Sequence, residues 1–414
     1  MSLEDQPLYF AGIDWAAAEH AVCVLDQTGR KLVAFTIDPT AAGFARLATR
    51  LSKLGDAGRI PVAIERPDGR LVDALLEAGH PVLPVKPTAI KSWRENEVPS
   101  GAKSDPGDAY VIAGYLRIRF HRLRPAAPLS GHTKGLRAVV RARGDLVRTR
   151  VAATNQLAAL LDAHWPGAKA IFANIESAIA LAFLAQYPSA ALAAHLTEEQ
   201  LAAFCSQHGY SGRKPAAVLL ARLRSAPAGT LDPVVSEGIG AAVLAHVDVL
   251  TALGAAIKDL DRATAKRLDA HPGGAVFRSF PRAGTTNAAQ ILAEWGDARA
   301  AFAYPDQVAA LAGITPVTKA SGKHRGVSFR WACNKRLRVA ITTFAANSRF
   351  SSSWAAEIYD RARASGKDHP HATRILARAW VRVMWRCWQN GTPYDQALHG
   401  GAQQRLDQQS AAGP

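Results

Sequence analysis

The sequence is short of cysteine, and its few cysteines are widely spaced. The 414 residues contain only Cys23, Cys205, Cys333 and Cys387, and no two of them form a CxxC pair. Neither a zinc site nor a disulfide framework is therefore indicated, and we expect four reduced thiols. The N-terminus also lacks the basic start and the apolar run of a signal peptide.

Long apolar runs are missing as well. The longest uncharged stretch, residues 177–196, is rich in alanine and is interrupted by Gln186 and Pro188. A membrane-spanning helix needs about 20 strongly apolar residues, so this stretch is more typical of packed helices. We expect a soluble, cytoplasmic protein with no membrane segment.

Acidic residues are scarce relative to basic ones. Lys and Arg number 50 against 34 Asp and Glu, which gives a net charge of +16 and a pI near 10.0. Hydrophobic residues make up 48%, which excludes a disordered or collagen-like chain and allows about two or three domains. A balance this basic favours a polyanionic partner, with nucleic acid as the first candidate.

The positive charge is concentrated in two stretches. Residues 117–150 hold ten Lys or Arg and one acid, and residues 319–386 hold fifteen against three acids. A single basic run is usually a solvated face. Together, however, the two stretches carry more than the whole net charge of the chain. Contact with the phosphate groups of a nucleic acid is the simplest explanation.

Arginine recurs at every fourth position near the end of the chain, at Arg374, Arg378, Arg382 and Arg386. On a helix this spacing forms one stripe. Apolar residues lie between them and just after the last one, namely Ile375, Leu376, Trp380, Val383, Met384 and Trp388. The pattern predicts an amphipathic helix that docks on a core and presents guanidinium groups, which bind phosphate through two parallel hydrogen bonds.

The first 130 residues alternate strand and helix patterns. Three runs, residues 8–14, 20–25 and 31–37, predict an antiparallel meander. A helix start at 38–40, strands at 60–65 and 81–85, and a helix at 71–78 follow. After an irregular charged loop, the segment SDPGDAYVIAGYL begins a helix capped by Ser104 or Asp105. This order is that of an α/β RNase H-like domain.

The remainder reads as helical. Two long helices, residues 133–163 and 237–268, predict an antiparallel, coiled-coil-like arm, with a monomeric bundle as the alternative. A glycine turn between two helical patterns, in FRSFPRAGTTNAAQ, is typical of a helix-hairpin-helix. We predict domains at 1–130, 131–270 with an insertion near 165–235, and 271–400, followed by a frayed tail at 401–414.

Four carboxylates stand out: Asp14, Glu65, Asp105 and Asp108. The first two end apolar strands, and the other two lie three residues apart at a helix start, on one face. Converging acids without a nearby Lys or Arg require a cation, and hard oxygen ligands suit Mg²⁺ or Mn²⁺. Two such ions stabilise the entering and leaving oxygens of a phosphoryl transfer.

Each acid also has a structural interpretation. Asp105 precedes Pro106 and could merely cap its helix, whereas Glu65 could pair with Arg66 or Arg70. Considered together in a basic chain with an RNase H-like element order, the four acids favour metal binding.

These motifs resemble a known family. GIDW at the N-terminus, the AIE strand and KSDPGDA resemble the DEDD transposases of bacterial insertion elements, whose N-terminal domain is RuvC-like and whose members are bridge-RNA-guided recombinases. Downstream, EWGD and LAGITPVTKASGKHRG resemble that family's C-terminal transposase domain. The resemblance covers most of the chain except the insertion and the tail. The sequence departs from the family at PRAGTT, where a Pro-Gly-Ile-Gly turn is usual.

The resemblance implies a site and partners. Its metal-binding acids fall on Asp14, Glu65, Asp105 and Asp108, and its nucleophilic serine falls on Ser321. Basic residues would surround that serine or contact nucleic acid, namely Lys319, Lys323, His324, Arg325, Lys335, Arg336, Arg374, Arg378 and Arg382. The implied partners are double-stranded DNA, a structured guide RNA and further copies of the chain. By spacing alone, Ser321 would be an ordinary loop serine.

Two other functions fit the same residues. A RuvC-like junction nuclease would use metal-activated water instead of the serine. A nucleic-acid scaffold would use the acids structurally and would have no catalytic activity.

Overall fold

The structure, a computed structural model, describes residues 6–65, 68–97, 104–321, 324–328 and 330–397. It divides into two compact units. The first contains residues up to 129 together with 298–303, and the second contains 130–297 together with the residues from 304 onward. The helical arm and the C-terminal region share the second unit. The further boundary at residue 271 stays a prediction.

The first unit is built on a mixed five-stranded sheet. Its strands are β1 (Tyr9–Trp15), β2 (His20–Asp26), β3 (Lys31–Ile37), β4 (Val62–Ile64) and β5 (Val82–Pro84). They lie in the order β3-β2-β1-β4-β5, with the first three antiparallel and with β4 and β5 parallel to β1. The predicted meander is confirmed within two residues at each end.

Four α-helices accompany this sheet: α1 (Ala41–Ser52), α2 (Arg70–Glu77), α3 (Pro87–Glu97) and α4 (Asp105–Arg119). The Thr40 side chain caps α1, and the Ser104 side chain caps α4 by accepting from the Gly107 amide at 3.3 Å. The predicted irregular loop after β5 is wrong, because residues 87–97 form α3. Only Ile90 is buried on that helix, and most of its other side chains are polar or charged.

The two faces of the sheet pack against different helices. Ile13 and Ile64 lie in one core with Leu47 of α1 and Leu71 of α2. On the other face, Gly12 lies against the backbone of α4. A side chain there would come within 2.3 Å of the Ala109 carbonyl oxygen, so only glycine allows this close approach.

The second unit is mostly helical, with one hairpin. Its longer elements are α5 (Gly131–His164), α6 (Pro166–Ile171), α7 (Ala178–Gln186), α8 (Ala190–Ala193), α9 (Glu198–Gln207), α10 (Ala216–Ser225), α11 (Pro233–Asp269), α12 (Gly274–Arg278), α13 (Thr285–Trp295), α14 (Pro305–Leu311), β6 (Val317–Ser321), β7 (His324–Ser328), α15 (Lys335–Ser348), α16 (Ser353–Ala364) and α17 (His369–Asn390). Both long arm helices are present and extend a few residues beyond the prediction.

The arm helices α5 and α11 pack along one another, and the insertion between them shares a hydrophobic core with both helices. That core is centred on Phe183, whose ring contacts Trp165, Phe172 and Phe204. Aromatic packing of this kind explains how short, irregular helices form a stable module. A role of the arm in assembly stays a prediction.

Helix α11 is long and apolar enough to cross a membrane by length and composition alone. Core helices of globular proteins pass the same test, so this is weak evidence. The helix packs against α5, and residues such as Val243 and Leu250 are buried in the insertion core.

Candidate active site

Asp14 and Glu65 lie next to each other at one end of the sheet. Ile13 of β1 is paired with Ile64 of β4 in parallel register, and the two acids are the residues that follow. Because side chains alternate along a strand, the acids lie on the opposite face from Ile13 and Ile64, which is the face that α4 covers. The predicted juxtaposition of these two strand ends is therefore present.

Helix α4 directs its first turn to the same end of the sheet. Its C-terminal neighbour Phe120 contacts Phe10 at the start of β1, with ring centroids 6.0 Å apart. Its backbone at Ala109 and Ala113 lies on Gly12. The helix therefore runs antiparallel to β1. Its first-turn acids, Asp105 and Asp108, lie toward the end where β1 finishes.

One of these acids already has a cationic partner. Nη2 of Arg94, on α3, lies 2.7 Å from Oδ1 of Asp108, whose side chain is 8% exposed. The expectation that no Lys or Arg lies near the acids is wrong, because the unpredicted helix α3 brings Arg94 to them. Within the described ranges, no three His, Cys, Asp or Glu side chains are close enough together to hold a metal ion.

The sequence also offered structural roles for Asp105, as a helix cap, and for Glu65, as a partner of Arg66 or Arg70. The side chain of Ser104, and not that of Asp105, caps α4. Asp105 lies in the first turn of the helix and is exposed. Arg70 lies 3.6 Å from Asp73. The other suggested partner of Glu65, Arg66, lies outside the described residues.

Ser321 is the last residue of β6 and is exposed to solvent. Across the hairpin it pairs with His324, and Lys319 pairs with Gly326. Gly322 and Lys323, which separate β6 from β7 in the sequence, lie outside the described residues. Ser321 thus occupies the tip of a short antiparallel hairpin that extends from a helical unit.

A cavity of about 390 Å³ lies at the base of this hairpin. Ser328, the last residue of β7, and Pro316, just before β6, form one side. Helix α17 forms the other side with four basic side chains, His371, Arg374, Arg378 and Arg382. We call this cavity the arginine groove. Of the predicted nucleic-acid-binding residues, the structure brings together Arg374, Arg378 and Arg382 here.

Helix α17 is amphipathic as predicted, with one exception. Leu376, Trp380, Met384 and Trp388 are buried, but Ile375 is 38% exposed and lines the arginine groove. The prediction of Ile375 as a core residue is therefore wrong. Ile375 comes directly after Arg374 in the helix, and both residues line the arginine groove.

Arg336, another predicted nucleic-acid contact, is engaged within the protein. Its Nη2 atom donates to Oδ1 of Asp145 on α5 at 2.6 Å. This hydrogen bond is the main cause that lowers the pKa of Asp145. Lys335, its neighbour at the start of α15, is exposed. Arg336 thus fastens α15 to the arm.

An ion pair with a buried carboxylate and a partly exposed arginine lies beside that contact. Arg141 of α5 donates from Nε and Nη2 to the two carboxylate oxygens of Glu294 at 2.8 and 2.9 Å. Asn334 donates to the same carboxylate at 2.8 Å, and its own side-chain oxygen caps α15. Burial acts to raise the pKa of Glu294, but the hydrogen bonds from Arg141 and Asn334 outweigh it and lower that pKa.

The predicted glycine turn lies between α12 and α13. Gly284 has a φ of +64° directly before α13, a conformation that favours glycine. The turn is present despite the departure from the family's usual residues.

The sequence did not single out three residues that have partners in these sites: Arg94, Glu294 and Trp15. Arg94 gave no signal, because nothing local marked α3 as a helix. Glu294 lies in EWGD, where an acid between apolar residues of a helix is a sign of a buried partner. Trp15 follows Asp14 directly, so strand alternation places it on the opposite face of the sheet.

Comparison with known proteins completes the description of the site. Residues 11–166 match a transposase family of DEDD type, and residues 274–360 match the transposase IS116/IS110/IS902 family. The chain is 33% identical over 401 residues to the mini-circle putative transposase for IS117 of Streptomyces coelicolor, covering 95% of this chain and 97% of the relative. It is 28% identical over 397 residues to the insertion element IS900 uncharacterized 42 kDa protein of Mycobacterium paratuberculosis, covering 95% and 98%.

Proposed function

The chain belongs to the IS116/IS110/IS902 family of transposases, and from this premise we propose how it acts on DNA. Ser321 cuts and rejoins DNA strands. Asp14, Glu65, Asp105 and Asp108 of an RNase H-like first unit hold a divalent cation, Mg²⁺ or Mn²⁺. A structured noncoding RNA selects the element ends and the target, and several copies of the chain assemble around them.

The serine chemistry is a pair of balanced exchanges. Oγ of Ser321 bonds to the phosphorus of a DNA phosphodiester while the bond from phosphorus to one deoxyribose oxygen breaks. The hydroxyl proton is lost from Ser321, and the departing oxygen gains one. A second strand's hydroxyl then attacks the phosphoserine, and Ser321 regains its proton. Bond energy is conserved, so no nucleoside triphosphate is required.

The single observation that carries this assignment is the position of Ser321 relative to the arginine groove. The serine is exposed at the tip of a hairpin whose base borders three arginines and a histidine. Guanidinium groups bind phosphate oxygens in a bidentate manner and stabilise negative charge as it develops. A DNA backbone lying in the groove would therefore pass beside the hairpin.

The carboxylate oxygens of the four acids are suitable ligands for a divalent cation. In this structure, however, Asp108 already forms an ion pair. Carboxylate oxygens at one sheet end are the ligands that Mg²⁺ and Mn²⁺ prefer. The ion pair with Arg94, however, neutralises Asp108. We propose that Arg94 leaves Asp108 when the cation and DNA bind. A bound cation would supply charge stabilisation to the transferring phosphoryl group.

Covalent trapping on a denaturing gel tests the nucleophile. The full chain is incubated with guide RNA, labelled element-end DNA and Mg²⁺. Wild type should give a DNA-linked protein band, and Ser321→Ala should lose it by at least 100-fold. Ser351→Ala, which alters another exposed serine of the same unit, should retain it. Full recombination by Ser321→Ala would refute the assignment.

The acids are tested in the same assay. Asp14→Asn should abolish strand cutting while DNA binding in the arginine groove persists. Hydrolysed ends with no adduct in the wild type would indicate the water-using nuclease instead. An Asp14→Asn variant with intact activity would indicate that the acids are structural.

A further inference from the structure

A further basic site lies in the second unit, at the end of α15. Arg349 follows that helix directly, and its guanidinium contacts two aromatic rings. The Cζ atom of Arg349 lies 4.4 Å from the centroid of the Phe350 ring and 4.6 Å from that of the Tyr359 ring. A cation at these distances is attracted to the π face of each ring. The two rings therefore hold the guanidinium in place.

The same guanidinium has donors to offer a ligand. Its Nε atom donates to the Ala346 carbonyl at 3.1 Å. The two Nη atoms of Arg349 carry the other four N–H groups and make no hydrogen bond or ion pair with a described residue. Arg349 is partly exposed. A guanidinium that is already oriented and has its Nη donors available is suited to bind phosphate through two parallel hydrogen bonds.

A second arginine shares the Phe350 ring. Cζ of Arg282, in the turn between α12 and α13, lies 6.0 Å from the centroid of that ring. Arg282 is exposed, and Phe350 is 64% exposed. Both guanidinium groups therefore lie at one solvent-facing aromatic ring.

The backbone of Arg282 is unusual. Its φ is +56°, and it is the one non-glycine residue with a positive φ in the part of the chain that the structure describes. It is the second residue of PRAG, where the turn usual in the resembled family has glycine. A side chain in this conformation costs free energy that glycine would avoid. The arginine is therefore unfavourable for the turn itself, which points to a role for its side chain.

Basic side chains connect this site to the arginine groove. Oη of Tyr359 lies 2.7 Å from Nδ1 of His369, the first residue of α17. His369 lines a cavity of about 350 Å³ together with Arg338 and Arg374, and no Asp or Glu is among the described residues that line it. Arg374 also lines the arginine groove. A basic surface thus continues from the groove, past the start of α17, to Arg349.

We propose that Arg349 and Arg282 bind the phosphate backbone of the same DNA duplex that occupies the arginine groove, with Phe350 as the residue that positions both guanidinium groups. This inference rests on the proposed function. Neither arginine forms an ion pair with an acid in the described ranges, so their charges repel each other until an anion binds. Contacts to the backbone alone add affinity without a preference for sequence.

Binding of duplex DNA at several salt concentrations tests the proposal without requiring strand cutting. The full chain, in the Ser321→Ala background that prevents adduct formation, is titrated into a labelled duplex and followed by fluorescence anisotropy. Arg349→Gln should weaken binding by about 10-fold, because a charged hydrogen-bonding group is lost. The slope of log affinity against log salt should become shallower by about one.

Arg282→Gly should change the salt slope in the same way. It removes the second charge, yet it should not lower the unfolding temperature, because glycine adopts the left-handed conformation freely. A residue with only a structural role in the turn would not give weaker DNA binding together with unchanged or higher stability.

Phe350 separates positioning from charge. Phe350→Leu removes the ring and neither charge, so affinity should fall by about threefold while the salt slope stays unchanged. Phe350→Tyr keeps a ring and should bind as the wild type does. Arg361→Gln is the matched control, since it removes an exposed arginine of α16 that pairs with Glu357. It should leave affinity within about twofold and the slope unchanged.

Thermal unfolding of each variant checks that the unit is folded. A folded Arg349→Gln variant with the affinity and salt slope of the wild type would overturn the proposal. Equal losses in Arg361→Gln would also overturn it, because any arginine of this region would then serve. Should Arg349→Gln not fold, Arg282→Gly decides by the same two measurements. Variants that lose affinity for a structured RNA but bind duplex DNA normally would overturn the assignment to DNA.

This proposal and that for Ser321 fail in different ways. If Ser321 is not the nucleophile, the covalent band is absent or persists in Ser321→Ala, yet the salt slope of Arg349→Gln can still be measured. If Arg349 and Arg282 do not bind DNA, the salt slope is unchanged in both variants while covalent trapping proceeds.

Discussion

Two basic regions of this protein look equivalent in composition and differ in their contacts. The arginines of α5 contact partners inside the protein, namely Arg137 with the Ala293 carbonyl, Arg141 with Glu294, Arg143 with Asp261, Arg148 with Asp145 and Arg150 with Glu176. On α17, Arg374, Arg378 and Arg382 line the arginine groove, where Arg378 has the exposed Asp306 as a partner at 3.0 Å.

The difference shows what a charge count can and cannot indicate. A surplus of arginine predicts phosphate binding only where the arginines are not already neutralised by ion pairs with acids of the protein. On α5 the guanidinium groups of Arg137 and Arg141 contact α13, whereas that of Arg143 contacts α11 and that of Arg150 contacts the insertion. We therefore expect α5 to govern stability and α17 to govern nucleic-acid affinity.

The strongest test of the comparison removes the buried acid that α5 holds. Glu294→Ala leaves Arg141 and Asn334 without their shared partner, and we expect the free energy of unfolding to fall by about 3 kcal/mol. Urea unfolding measures it. Glu237→Ala, an exposed acid on α11, is the control and should change it by less than about 0.5 kcal/mol. A loss below about 1 kcal/mol for Glu294→Ala would contradict the structural role of α5.

The next test removes the charge of the arginine groove. Changing Arg374, Arg378 and Arg382 together to Gln should weaken binding of duplex DNA by about 10- to 100-fold, because each loses charged hydrogen bonds to phosphate. The slope of log affinity against log salt should fall by about 3, close to one per phosphate contact. Fluorescence anisotropy at several salt concentrations measures both.

The matched control for that variant lies on α5. Changing Arg143, Arg148 and Arg150 together to Gln removes the same charge from the other region. DNA affinity should stay within about twofold, since these side chains already pair with acids. Equal losses of affinity from both triple variants would mean that α5 binds DNA as well, and the comparison would fail.

The smallest expected effect comes from changing Asp306, the acid that pairs with Arg378 of α17. Asp306→Asn removes the acid that competes with phosphate for Arg378, so DNA should bind about two- to fivefold more tightly, as expected for an exposed ion pair. Anisotropy at low salt detects such a change. Weaker binding would show that Asp306 positions Arg378 for its ligand instead of competing for it.

Much of the first unit could be predicted from the sequence. The meander follows from alternating apolar residues and turn residues, and the start of α4 follows from the capping serine and the proline after it. The acids at the ends of β1 and β4 could be paired in advance, because parallel strands in register bring their ends together. Helix α3 and its Arg94 were missed, because most residues of that helix are polar or charged, as in a loop, and only Ile90 is buried.

In the second unit, local patterns again indicated helices but not their partners. The spacing of arginines on α17 predicted a stripe and a buried face, and only Ile375 proved to lie outside. The partners of α5 come from residues more than a hundred positions away, such as Glu294 and Asp261. No local pattern carries that information, because an ion pair depends on how distant helices pack.

The sequence alone determined the order of the strands and helices of the first unit except α3, the excess of positive charge and the acids at two strand ends, since these depend on propensities and alternation over a few residues. The tertiary structure decided which charges remain available to a ligand. It joined Arg94 to Asp108 and Arg141 to Glu294, and it placed Arg374, Arg378 and Arg382 along one cavity. The physical reason is that a charge is neutralised by its nearest neighbours in space, and those are set by packing between elements far apart in the chain.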